Sequence, residues 1–137
     1  MDIKAQLAQE WTTLQNNHEA YERSALALKL VATLLTAAAW VYGLDPLALG
    51  ALVLILWAQE AVLKTWQNRL VTRLVDIEAM FRRGAQGGDE PFQLHSQWLA
   101  TRPGLMGLLA DYARSALRPT VAWPYAALLL LLLLVYL

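Results

Sequence analysis

Lys29 and Glu60 are charges set inside otherwise uncharged apolar runs. An ammonium and a carboxylate are costly in a dehydrated region unless they meet each other. As a pair they could fix the register of two helices, or they could pass a proton or an ion. Each lies about one turn from the end of its run, where a register-fixing ion pair fits; a proton relay needs several such groups near the middle of the bilayer. From that depth either side chain could also carry its charge to the interface alone.

Other residues capable of chemistry are sparse. His18 and Glu22 share a helix face at i,i+4, a spacing that can hold a metal, but no second histidine lies nearby in the sequence. A position on a helix–helix seam accounts for His18 equally well. His95 and Ser96 are a base beside a hydroxyl, but no nucleophile-elbow pattern surrounds Ser96. No glycine-rich phosphate loop follows a predicted strand, because no strand is predicted. With no cysteine in the chain, thiolate ligands and thiol nucleophiles are excluded. The expectation is a protein that is not an enzyme, with no cofactor and no metal. Lys plus Arg and Asp plus Glu are equal at 11 each, which argues against a nucleic-acid partner, since such proteins carry a basic surplus. Arg82 and Arg83 form the densest basic spot. Lipid contact would be worth about 1 kcal/mol per residue near a surface, but their place in the chain makes a solvated face or a protein contact the better expectation.

These residues must be positioned by helices. Of 137 residues, 58% are hydrophobic and only 16% charged, and the mean hydropathy is +0.37; a soluble domain carries about 25% charged residues. The predicted fold class is an all-α membrane protein. Its centre is an antiparallel hairpin over residues 1–83, with spans at 24–42 and 46–63 that continue into a coiled-coil-like stalk formed by 1–23 and 64–83. The turn is written in local chemistry: Gly43 suits a helix C-terminus, Asp45 an N-cap and Pro46 the first helical position. Along the stalk, Leu7, Trp11, Leu14, His18 and Tyr21 recur at alternating four- and three-residue steps, opposite Trp66, Leu70, Leu74, Ile77 and Phe81. Within the spans, small residues form stripes on both helices: Ala25, Ala32, Thr36 and Ala39 on one, Ala51, Ala58 and Ala61 on the other. Such stripes let backbones approach closely in lipid. Facing residues of an antiparallel pair keep a constant sum of residue numbers. Ala39 with Ala51, Ala32 with Ala58 and Ala25 with Thr65 satisfy one sum, and Lys29 with Glu60 falls within one of it.

After the hairpin, 84–90 is glycine-rich and reads as a linker without an apolar anchor. Asp89 and Glu90 ahead of Pro91 predict a short helix from there to about Thr101. Leu105, Leu108, Leu109 and Tyr112 then mark an amphipathic helix, which would lie either in the headgroup layer or on the stalk. Phe92 and Trp98 should be covered by the stalk, the bilayer surface or another subunit, so 91–118 offers a candidate partner or interfacial surface. Residues 119–137 form a third span, leucine-rich and poor in small residues, expected to face lipid or dock loosely.

The turn at 43–46 carries no Lys or Arg, whereas Lys4, Arg23 and the stretch 64–118 carry ten on the other side. The positive-inside rule then predicts a cytoplasmic N-terminus, a cytoplasmic stalk and middle region and an outward C-terminus; the expected location is an inner (plasma) membrane of bacterial type. Expected partners are the lipid bilayer and either other membrane-protein subunits or a second copy. The leading functional expectation is a small integral membrane scaffold or accessory subunit whose cytoplasmic helices bind a partner or self-associate. The alternative is a homo-oligomeric pore or transport subunit, against which stands the short polar inventory of the spans. A lipid-handling role for the amphipathic helix is a third reading.

Overall fold

The computed structural model describes residues 2–86 and 88–137; Met1 of the predicted hairpin and Gly87 of the predicted linker lie outside them. The chain is an all-α membrane protein, with five helices among the described residues: α1 (Ile3–Tyr42), α2 (Pro46–Arg82), α3 (Leu94–Thr101), α4 (Leu105–Ala116) and α5 (Pro119–Tyr136). Three of them, α1, α2 and α5, are long and apolar enough to cross a membrane. With 40 and 37 residues, α1 and α2 run roughly 60 and 55 Å at about 1.5 Å per residue. Both therefore outreach a hydrocarbon core of about 30 Å.

The turn forms as its residue types dictate. Gly43 takes the left-handed conformation at φ 61°, open to glycine at little cost. The Asp45 carboxylate accepts from the backbone N–H of Leu47 at 3.1 Å and of Ala48 at 3.2 Å, satisfying donors that the helix start leaves free.

The span halves of α1 and α2 pack with α5 in a three-helix core of Ala32, Ala39, Leu49, Val53, Val121, Tyr125 and Leu132. The small stripe of α1 is buried, at Ala25, Ala32, Thr36 and Ala39. The small stripe of α2 is not: Ala51 and Ala58 are exposed, and only Ala61 is buried. The helix is turned so that Leu49, Val53 and Glu60 face inward. The reason is α5, since large side chains from two neighbours fill the groove that the alanines of α1 leave open. This is small-against-large packing, where the sequence stripes predict small against small. Nor does α5 dock loosely, because Val121 and Tyr125 are fully buried on it.

Beyond the spans, Leu7, Leu14, Leu70, Leu74 and Ile77 form a second core, with Trp11 and Tyr21 packed at its edge. Two stalk expectations fail. Trp66 stands outside this core, about half exposed, and Phe81 is more than a third exposed. The seam position assigned to Trp66 belongs to Gln67, which is buried. From Leu49 through Val53, Leu56, Glu60, Leu63, Gln67, Leu70 and Leu74 to Ile77, α2 keeps one four–three alternation, and most of these positions are buried. An apolar search steps over Gln67 and lands on its neighbour.

The segment read as an unanchored linker is tied down. Ala85 packs against the stalk core, and its N–H donates to the Met80 carbonyl at 2.8 Å. Asp89 is buried, pairs with Arg83 and accepts from the Gln86 N–H. With Asp89 engaged there, and Phe92 in a left-handed conformation at φ 63°, α3 begins at Leu94 and not beside Pro91.

Candidate functional site

Among the described residues, three clusters built on charged side chains lie between the helices along α2. The first lies within the spans. Lys29 Nζ is 2.7 Å from Glu60 Oε1, and the Tyr125 hydroxyl donates to Glu60 Oε2 at 2.8 Å. Glu60 is fully buried, while Lys29 keeps about a quarter of its side chain exposed. The Tyr125 ring stacks on Trp57, with centroids 6.1 Å apart and planes within 5°. One carboxylate thus gathers all three spanning helices. The sequence predicts the two charges; it gives no cue to Tyr125, whose hydroxyl is visible as a partner only once α5 is placed.

The second group marks the passage from span to stalk. Lys64 Nζ donates to Glu22 at 2.6 Å and to Gln67 at 3.1 Å. The Gln67 amide donates to Glu22 at 2.8 Å and to the His18 carbonyl at 3.2 Å. The hydrogen bond from Lys64 holds the Glu22 carboxyl below the usual carboxylate range, against a smaller opposing push from burial. Glu22 is therefore engaged by Lys64 and Gln67. Among the described residues, no three His, Asp or Glu side chains converge as ligands.

The third group closes the stalk. Arg73 meets Glu10 through two parallel hydrogen bonds, Nε to Oε1 at 2.8 Å and Nη2 to Oε2 at 3.0 Å, and both residues are buried. Arg73 Nη2 also donates to the Glu90 carbonyl at 2.9 Å, and Glu10 Oε2 accepts from the Phe92 N–H at 2.6 Å. The pair thereby straps the segment before α3 onto the hairpin. Sequence reasoning missed it because each residue is charged and neighbours a hydrophobic seam position without occupying one. The available signal was Arg69 and Arg73 on one face of a helix that must pack.

Against this polar side of α2 lies a cleft of about 660 Å³, walled by α2, α3 and α4. Its inner end is closed by Thr65 and Ser115, whose hydroxyl oxygens are 2.8 Å apart. Close by, the Trp57 indole N–H donates to the Ala116 carbonyl at 3.0 Å. Arg69, Arg73, Arg114 and Arg118 line the cleft, together with Asp76, Asp111 and Trp98. The Arg69 guanidinium sits 4.0 Å from the Trp98 ring centroid, a cation–π contact, and that of Arg102 5.8 Å from the same ring.

The predicted surface over 91–118 is thus divided. Trp98 and Leu108 line the cleft and Tyr112 is half-buried. Phe92, Leu105 and Leu109 are exposed. Helix α4 turns its polar side toward α2 and leaves Leu105, Met106 and Leu109 outward. It therefore docks on the base of the stalk, one of the two alternatives read from the sequence, and presents an apolar face outward. His95 and Ser96 are exposed on α3, and Arg82 is exposed near the far end of the stalk. No family model, curated protein or solved structure matches this chain, and function is argued from this geometry.

Proposed function

We propose that the protein is a small integral membrane scaffold or accessory subunit, whose stalk binds a second membrane-protein subunit or another copy of itself. The observation that carries the reading is apolar surface on the stalk, beyond the reach of the hydrocarbon core. Val71 and Val75 stand one turn apart on α2 and are 38% and 51% exposed. Phe92 on the strap and Leu99 on α3 are separately exposed, at 58% and 61%. Val71 and Val75 together, one turn apart and outside the spans, are the kind of exposed apolar pair that a contact would cover, whereas the exposed leucines of the spans have lipid to cover them. With Lys and Arg concentrated on the stalk side, the positive-inside rule places that surface in the cytoplasm, with the C-terminus outward across a plasma membrane of bacterial type. The reading assigns no catalysis.

The polar groups of the spans weigh against a pore. Glu60 is taken by Lys29 and Tyr125, and the Thr33 and Thr36 hydroxyls donate back to the carbonyls of Lys29 and Ala32. Gln59 remains to line a pathway. Two measurements on the full chain test the assignment. Light scattering in mild detergent should give a mass above the monomer that falls to the monomer in Val71→Ser/Val75→Ser, and a monomer that copurifies with no subunit overturns the reading. Vesicles carrying the protein should show no solute or ion flux; robust flux would move the assignment to a pore subunit.

A further inference from the structure

Helix α4 spends its polar side on α2, where the Ser115 hydroxyl lies 2.8 Å from that of Thr65. On the opposite side Leu105, Met106, Leu109, Ala110, Ala113 and Leu117 are all exposed. They fall in one stripe about 140° wide at 100° per residue, and Leu105, Met106 and Leu117 are 73%, 78% and 72% exposed. An apolar face of that width needs a cover. Two features decide which. The first is depth. Trp57 lies within the predicted span 46–63, and its indole N–H donates to the Ala116 carbonyl at 3.0 Å; Thr65, which meets Ser115, lies two residues past the end of that span. Two residues after Leu117, α5 begins, a helix apolar enough to cross a membrane. The last turn of α4 is therefore held at the edge of the spans. The second feature is Trp66. It follows Thr65 on α2, stands outside both buried cores and is 47% exposed, as an aromatic of an interfacial belt is.

We propose that α4 lies in the boundary between headgroups and acyl chains on the stalk side of the bilayer, with lipid covering its outward face. Helices of this kind bury their apolar side about 5–10 Å into that boundary and carry cations on the polar side. Arg114 and Arg118 are exposed beside the stripe, and their long stems let the charges reach the headgroups. Leu117 and Trp123 are exposed on either side of the junction with α5, so the same lipid meets the end of one helix and the start of the next. With its other side fixed to Thr65 and Trp57, α4 holds the base of the stalk to the membrane surface. This is a lipid contact additional to the three spans, and it does not depend on what the stalk binds.

The test uses the full chain in vesicles of phosphatidylcholine and phosphatidylglycerol. The chain has no cysteine, so single nitroxide labels can be placed without background. Leu109→Cys and Ala113→Cys report on the stripe. Leu130→Cys, at a position 58% exposed on α5, is the lipid reference, and Asn16→Cys, exposed on the stalk half of α1, is the water reference. Electron paramagnetic resonance reads the collisions of each label with oxygen, which concentrates in lipid, and with a water-soluble nickel chelate. At both stripe positions the ratio of oxygen to nickel collisions is expected at least about threefold above that at position 16, approaching that at position 130. A ratio equal to that at position 16 puts the face in water and overturns the proposal. Few collisions with either reagent show that protein covers the face, a second copy included, and overturn it equally. Neither failure bears on Val71 and Val75, so the stalk reading is judged separately.

Discussion

The two halves of the α1–α2 pair bury charge in opposite settings. In the span, Glu60 is fully enclosed while Lys29 reaches outward; in the stalk, Arg73 and Glu10 are both enclosed. Water makes the difference. Stalk helices associate by removing Leu7, Leu14, Leu70, Leu74 and Ile77 from solvent, which stabilises the pair without any ion pair, and Glu10–Arg73 adds a fixed position for the strap. In lipid that drive is absent. The span pair relies on close packing at Ala25, Ala32 and Ala39 and on a polar contact that locates the helices. One buried ion pair places a loop, and the other places a third helix.

The sharpest way to break the comparison is at Arg73. Arg73→Met leaves Glu10 buried without its charge partner and should cost about 3–5 kcal/mol in denaturant unfolding of the stalk, with most of it recovered by adding Glu10→Leu. In the span the two ends should be unequal. Lys29→Met strands a fully buried Glu60 and should cost about 2–3 kcal/mol; Glu60→Leu/Tyr125→Phe, which leaves no orphaned hydroxyl, should cost less, because Lys29 can extend to the interface. Equal losses, read by steric-trap or thermal unfolding in bilayer mimics, would contradict the burial difference.

A smaller effect separates the two alanine stripes. Ala39→Leu overpacks the three-helix core and should cost about 1–3 kcal/mol, whereas Ala51→Leu and Ala58→Leu, both facing outward, should change stability by less than about 0.5 kcal/mol. The smallest effect concerns Glu22, whose carboxyl is held below its ordinary range by Lys64. Its contribution is therefore full at neutral pH. It starts to fall as pH approaches the ordinary glutamate value of about 4.3 and disappears below the lowered folded-state value. Thermal melts of Glu22→Gln against the parent protein should diverge above that window and converge beneath it.

What the sequence revealed was what local chemistry determines. Gly43, Asp45 and Pro46 specify the turn without help from elsewhere, and the approximate pairing of Lys29 with Glu60 follows from a short turn joining two long helices. Which face of α2 points inward was not legible, because α5, more than fifty residues along, takes a share of that face. Gln67 and Arg73 escaped because apolar periodicity ignores polar side chains, including those that a buried seam has already satisfied. The cleft was hidden for a further reason. Its inner wall is hidden because Asp111 and Ser115 on α4 read as a solvated face until that side is seen to pack on α2, the reverse of the usual amphipathic rule.

The link from Tyr125 to Glu60 also has a meaning in time. Synthesis runs from the N-terminus, so α1 and α2 are complete before Tyr125 exists, and Lys29 is the partner Glu60 can have during that interval. In the finished core the Tyr125 hydroxyl holds the side of Glu60 that Lys29 does not, and a chain lacking that hydroxyl would leave Glu60 held from one side only.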